Sequence, residues 1–205
     1  DFYRPDNSRQ VDANQISAAG LEWRDYPTLI GAAQRLNTLD FRLAAASPWS
    51  KHTNETERTE LPVNVAARRY EYVELRELYG SSAVVACPLY ETDFQAGITS
   101  ILEAMAMGCA VIATRTTGQT DVIEDGVTGL YVDPGDVDGW CRALERLTRD
   151  PALRESLGAN ARAWILNHAS LALWVRQISS EIAKFGVASR SWQANCKHFA
   201  AGEKV

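Results

Sequence analysis

FQAGITSILEAMAMGCAVIATRTTGQTDVIEDGVTGLYVDPGD, residues Phe94 to Asp136, joins a glycine-bearing loop to a helix, a buried strand and two further turns. Gly97 precedes Thr99 and Ser100, two good N-cap residues, and ILEAMAM is rich in strong helix formers, so a helix is predicted to start near residue 100. The first turn of such a helix presents unpaired N–H groups and the positive end of the macrodipole. A small residue just upstream lets an anion approach that backbone closely. The stretch is therefore a phosphate site in outline. Gly108 is placed to end the helix, and CAVIAT, Cys109 to Thr114, is a short apolar run of the kind a buried parallel strand shows. A polar, glycine-containing turn, RTTGQTD, follows it.

This stretch resembles the donor-binding core of the retaining GT-B glycosyltransferases of family 4, the group 1 glycosyl transferases. That family carries a Glu, seven residues, a second Glu, Ala-Met-Ala, a Gly, a strand, a Gly-containing turn and a later D-G-x-x-G-x-x-V-x-P-G-D run. Glu103 matches the second Glu, and Ala104, Met105, Ala106, Gly108, Ala113, Thr114, Gly118, Asp125, Gly126, Gly129, Val132, Pro134, Gly135 and Asp136 follow in register. Gln95 stands at the first Glu position, and this is the main departure.

Outside the motif, 46% hydrophobic and 23% charged residues give an ordinary globular composition, and 205 residues suffice for one large domain with a real core. A net charge of −5 gives no reason to expect nucleic acid or an anionic membrane surface as the main partner. Cys87, Cys109, Cys141 and Cys196 are widely spaced, with no CxxC or zinc pattern; two fall in apolar runs, which suits small core residues in a reducing compartment. No signal peptide or bilayer-length apolar run is present in this sequence, so the expectation is a cytoplasmic location, with peripheral contact at the inner face of the membrane as an option.

Taken in order, ANQISAA (Ala13 to Ala19) reads as a strand ending at Gly20, and YPTLIGAAQRL (Tyr26 to Leu36) as a helix with Pro27 in its first turn. DFRLAAAS (Asp40 to Ser47) and LPVNVAA (Leu61 to Ala67) read as strands, separated by PWSKHTNETERTEL, a polar loop with at most a short helix. YVELRELYGSS reads as a helix, and AVVACPL (Ala83 to Leu89) as a strand closed by Pro88 in front of the loop YETDFQAG. The alternation runs from Ala13 to Val132 as about six βα units. It predicts an α/β, Rossmann-like parallel sheet with helices on both faces, whose ligand edge lies at the carboxyl ends of the strands. QTDVIED is expected to be a short helix with Asp121 at its N-terminal end. Beyond Asp136 come VDGWCRALERLTRD, with Val137, Trp140, Leu144 and Leu147 near helical spacing, then PALRESLGANARAWIL and SLALWVRQISSEIAKF (Ser170 to Phe185). In the last of these, Leu171, Leu173, Trp174, Ile178 and Ile182 form an apolar face suited to ordinary core, or in part left bare for another domain. The segment after residue 188 has weak periodicity.

The resemblance implies roles for particular residues. The backbone around Gly97, Ile98 and Thr99, with Gly20, faces the donor diphosphate. Arg24 falls at a diphosphate-binding Lys of the family, while the partner Arg is missing from a shorter loop; taken alone, Arg24 also reads as a solvated residue at a helix start. Glu103 is the family's ribose ligand, although Ser100 to Glu103 is also a capping-box spacing, S-x-x-E. Arg68, Arg69 and Tyr70 occupy the nucleobase region, or are a surface pair and a packing residue. Thr116, Thr117 and Gly118 lie in a turn that reaches the sugar or diphosphate, or is an ordinary connection. Gln95 would contact the donor sugar with an amide in place of a carboxylate; Glu91 or Asp93 supplies the charge instead, or the enzyme is weakened. Gln95 and Glu103 are thus the catalytic candidates. His52, His168 and His198 match no part of the donor motif, and no metal site is expected.

The expected organisation is an interdomain linker remnant over residues 1–12, a nucleotide-sugar-binding domain over 13–168, and a C-terminal helix and tail over 169–205. The function implied is donor binding for retaining, hexosyltransferase-like transfer from a nucleotide diphosphate sugar, UDP- or GDP-linked, with no further cofactor. The acceptor, a sugar, lipid or small molecule, is bound mainly by a missing N-terminal GT-B domain, so this portion alone would turn over poorly. Two alternatives remain: a nucleotide-sugar epimerase of the same architecture, and a non-catalytic nucleotide-binding module.

Overall fold

A computed structural model of the chain describes residues 2–6, 10–45, 60–119 and 121–184. The chain divides into two compact units, Asp1–Arg162 and Ala163–Val205. In the first, six strands run parallel: β1 (Asp12–Ala19), β2 (Asp40–Ala44), β3 (Val65–Ala67), β4 (Ser82–Cys87), β5 (Ala110–Thr114) and β6 (Leu130–Val132), in the order β3-β2-β1-β4-β5-β6. The helices are α1 (Tyr26–Arg35), α2 (Tyr72–Ser81), α3 (Ile98–Ala106), α4 (Val137–Arg149) and α5 (Pro151–His168), the last running past the boundary between the units. This is the expected Rossmann-like α/β architecture.

The reversal of strand order decides where the helices go. From β1 the chain steps one way to β2, and from β3 it crosses back the other way to β4. Right-handed crossovers then put α1 on one face and α2 and α3 on the opposite face. Strand alternation agrees: Ile16, Ala18, Val84, Ala86 and Ile112 join a core with Leu29 and Ile30 of α1 and with Trp140, Leu144 and Leu147 of α4. Their neighbours Ser17, Val85, Val111 and Ala113 are also buried, and lie outside that cluster. β4 and β5 are buried throughout, which explains the apolar runs Ala83 to Cys87 and Ala110 to Ala113 within them. An ion pair between Arg35 and Asp138 ties α1 to α4 at the surface.

Several boundaries differ from expectation. β3 is only Val65–Ala67, because Pro62 has no N–H to give the ladder and its carbonyl instead accepts from Val65 N–H (2.9 Å) in a turn. The second strand ends at Ala44; Ser47, most of the polar loop after it, His52, His198, Cys196 and the C-terminal segment lie outside the described residues. No helix forms over the described residues of QTDVIED. Two polar groups of Gln119 find partners elsewhere: its side-chain N–H donates to Ala96 O (2.8 Å), and its backbone O accepts from the Tyr131 hydroxyl (2.7 Å). The connection from β5 to β6 therefore carries no helix among its described residues.

The second unit contains α6 (Leu171–Lys184), whose start is capped by Ser170 Oγ accepting from Leu173 N–H (3.3 Å). No residue of α6 is buried, so Leu171, Trp174 and Ile178 are not the ordinary core residues their spacing allowed. Among the described residues no helix is long and apolar enough to cross a membrane.

Candidate functional site

β1 and β4 are neighbours at the point where the strand order reverses, so their carboxyl ends open a crevice between two loops, Gly20 to Asp25 and Pro88 to Gly97. The loops are joined backbone to backbone: Asp25 N–H donates to Pro88 O (3.2 Å), and Tyr90 N–H donates to Trp23 O (3.1 Å). A cleft of about 390 Å³ lies at this place, with Gly20, Trp23, Arg24, Phe94, Gln95 and the α3 N-terminus among its walls.

Arg24 is only 7% exposed. Its guanidinium donates to Ala19 O (2.9 Å), Glu22 O (3.0 Å) and Ser100 Oγ (3.1 Å), all neutral acceptors, and no carboxylate pairs with it among the described residues. An arginine has five N–H donors, so donor capacity remains after these three bonds. This is not a solvated residue at a helix start. A buried cation without an anion is costly, and a ligand that supplied one would relieve that cost. Gly20 is required beside it: at φ +103, a Cβ there would run into the Arg24 guanidinium.

Gly97 caps α3 in the left-handed region at φ +73, and α3 begins at Ile98, earlier than Thr99 and Ser100 suggested as caps. A Cβ on Gly97 would come within 2.7 Å of Cys87 Sγ and 3.2 Å of Arg24 Nη1, so the bare backbone brings the helix start against the cation. The free first-turn N–H groups of α3 and the Arg24 guanidinium thus share one cleft. Ser100 lies inside the helix and uses its hydroxyl for Arg24 and for Ala19 O (3.4 Å). The capping box with Glu103 does not form.

Glu103 lies one turn beyond Ser100 on the same side of α3. Its carboxylate accepts from the Tyr79 hydroxyl (3.4 Å), with the Tyr3 hydroxyl as a second neighbour lacking good hydrogen-bond geometry. Burial raises the Glu103 carboxyl above the ordinary carboxylate range, and the two hydroxyls offset part of that rise. Tyr79 is itself raised by burial and by the Glu103 charge, and has Ser100 as a further hydrogen-bonding neighbour. Two polar pairs, Arg24 with Ser100 and Tyr79 with Glu103, thus lie one helical turn apart on α3.

Gln95 is exposed at the cleft wall, and its amide reaches Asp121 Oδ2 at 3.5 Å. Glu91 turns away to accept from Thr117 N–H (2.8 Å), which holds its carboxyl below the usual range, and neither Glu91 nor Asp93 lines the cleft. Gly118 packs on the backbone of Phe94 so closely that any Cβ would overlap it, and its N–H donates to Thr92 O (2.9 Å). That turn buttresses the loop. Thr116 is buried and carries an unpaired hydroxyl.

Arg68 and Tyr70 follow β3 at the same sheet edge but do not line this cleft. The Arg68 guanidinium sits 3.6 Å from the Tyr70 ring centroid and pairs with Glu74 (3.2 Å); Arg69 pairs with Glu71 (3.1 Å). Two strand spacings, roughly 10 Å, separate β3 from β1. Sequence reading missed Trp23, Phe94, Tyr79, Tyr3 and the inward role of Ser100. Only the exposed aromatic pair carries a local signal, as two large rings within glycine-flanked polar loops.

A doubly wound parallel sheet with a cation-bearing cleft at its switch point is a Rossmann-like domain. Residues 18–150 match the family described as Glycosyl transferases group 1, and the chain belongs to that family. It is 36% identical over 114 residues to a D-inositol 3-phosphate glycosyltransferase of Actinosynnema mirum, a match that covers 56% of this chain and 26% of the relative. The chain thus spans about a quarter of that relative's length. Among solved structures it resembles sucrose-phosphate synthase from Thermosynechococcus elongatus, with TM-score 0.78, 22% identity, and coverage of 92% of this chain and 51% of the other. It also resembles Anabaena Alr3699/HepE in complex with UDP-glucose, with TM-score 0.73, 18% identity, and coverage of 89% and 54%.

Proposed function

We propose that this chain is the donor half of a retaining glycosyltransferase that takes a nucleoside diphosphate sugar, with UDP-sugar first and GDP-sugar second among candidates. The observation that carries the reading is Arg24, a nearly buried guanidinium with no carboxylate partner among the described residues, set against the open start of α3. Breaking a glycosidic bond to a diphosphate places negative charge on the leaving oxygens. A preorganised cation and backbone N–H donors stabilise that charge as it develops. Glu103 accepts from the ribose hydroxyls, Arg68 and Tyr70 offer a stacking face to the base, and the Gln95 amide holds a hydroxyl of the sugar. The UDP-glucose complex of the Anabaena protein supports the choice of donor class.

The acceptor, a sugar, lipid or small molecule, would be held mainly by the part of a two-domain GT-B enzyme that lies outside the stretch matched here, so this chain alone should bind nucleotide and turn over poorly. Calorimetric titration with UDP, GDP and ADP tests this. One diphosphate should saturate the site, and Arg24→Ala should weaken it by about thirtyfold or more, as expected for loss of a charge-assisted contact. Glu103→Ala should weaken nucleoside diphosphates and leave inorganic pyrophosphate binding unchanged. Absence of binding by all three nucleotides would reject the reading. A non-catalytic nucleotide-binding module is the second reading, favoured by an amide at Gln95 where the family has a carboxylate; nucleotide binding without sugar transfer in the two-domain protein would select it.

A further inference from the structure

Trp23 is the one residue other than glycine with a positive φ among the described residues, at +59. A bulky side chain is a poor choice for that region, where glycine or asparagine is cheaper. The conformation is held from both sides: Trp23 O accepts from Tyr90 N–H, and the next residue is anchored through its guanidinium to Ala19 O and Glu22 O. Burial does not explain the ring, because Trp23 is 50% exposed. Its neighbour across the cleft, Phe94, is 47% exposed. The two rings meet edge to face, centroids 5.5 Å apart and planes at 83°. In such a pair one ring contributes an edge rather than a face, and each residue keeps about half of its surface exposed for a ligand.

The position narrows what the ligand can be. The same cleft holds Gln95 and the first residues of α3, whereas Glu103, Arg68 and Tyr70 lie outside it. The aromatic rim therefore shares its cleft with the helix start and with an amide that can serve a hydroxyl, and not with the residues proposed for ribose and base. A pyranose ring presents apolar C–H patches on its faces and hydroxyls around its edge, and suits an aromatic face with an amide at its side. We infer that Trp23 and Phe94 form a sugar-ring subsite that receives the hexosyl group of the donor. This rests on the donor-site reading given above, and extends it to two residues placed at no family motif position.

The test separates the subsite from the nucleotide site. Calorimetric affinities of wild type, Trp23→Gly and Phe94→Ala are measured for UDP against UDP-glucose and for GDP against GDP-mannose, alongside thermal melting. Trp23→Gly should stay cooperatively folded, since easing of the left-handed position offsets part of what the lost ring contact and the freer unfolded chain cost. It should keep its affinity for the free diphosphate and lose about fivefold or more for the sugar conjugate, as should Phe94→Ala. Equal affinities of wild type and variants for both ligands would overturn the subsite while leaving the nucleotide site standing. A parallel loss for diphosphate and conjugate would overturn it as well, assigning the rings to packing of the loop. No binding of either diphosphate by wild type would remove the donor-site reading and the subsite with it.

Discussion

Glu103 is a carboxylate kept where a carboxylate is uncomfortable. Its folded-state pKa lies above the ordinary value, so between those two values the folded chain holds more protons than the unfolded one. The stability this group contributes is complete below the unfolded value, ~4.3, and is lost as the pH rises through the raised folded value. At neutral pH the ionised Glu103 thus weakens the fold, a common feature of residues retained for binding. Glu103→Gln should raise the melting temperature at pH 7 by about 1–3 °C. It should also reduce the extra stability that wild type gains between pH 7 and pH 5, as differential scanning at both pH values would show. An unchanged difference between wild type and variant at the two pH values would reject this account. The residue was legible in the sequence, standing in register with a spaced motif. Its partners were not: Tyr79 is 24 positions away and Ser100 meets Arg24 from 76 positions away. No local pattern encodes contacts made by the sheet.

At the level of elements, the helices whose faces are apolar at regular spacing were the readable ones. In α4, Trp140, Leu144 and Leu147 are buried as their spacing required, with Asp136 capping Gly139 N–H at 2.8 Å. α3 was legible as a helix but misplaced at its start, because Thr99 and Ser100 are good caps by chemistry while Gly97 wins by geometry. A left-handed glycine there lets the loop turn into the helix against Cys87 and Arg24 with no side chain in the way. Gly97→Ala should therefore cost stability twice, through the left-handed conformation and through the contact with Cys87 Sγ. A loss of about 2–4 kcal/mol in chemical denaturation is expected. A loss below about 0.5 kcal/mol would show that the loop relaxes freely. The absence of a helix among the described residues of QTDVIED has the opposite lesson: a helix-compatible segment took other partners once Gln119 could reach Ala96 O and Tyr131.

At the level of the whole molecule, alternating apolar runs and glycine turns were enough to call a parallel sheet flanked by helices. The strand order was not in the periodicity; it follows from handed crossovers and is what puts two loops at one crevice. Trp140 marks how the sheet is held, being almost fully buried between α1 and the sheet in the main core. Trp140→Ala should cost about 3–5 kcal/mol and lower the melting temperature by about 6–15 °C, measured by circular dichroism. Retention of the wild-type melting temperature would show that the α1 and α4 layer contributes little to the cooperative unit. α6 lay outside what spacing alone could decide: an apolar face looks the same in sequence whether it is covered or open.

The two backbone bonds that stitch Trp23 to Tyr90 and Asp25 to Pro88 have a kinetic meaning. Loops fastened to each other at their bases cannot gape and close independently, so the mouth of the cleft is organised before any ligand arrives. Recognition at this half should then be limited by encounter rather than by a closing step, and the selectivity of the mouth is built in when the chain folds.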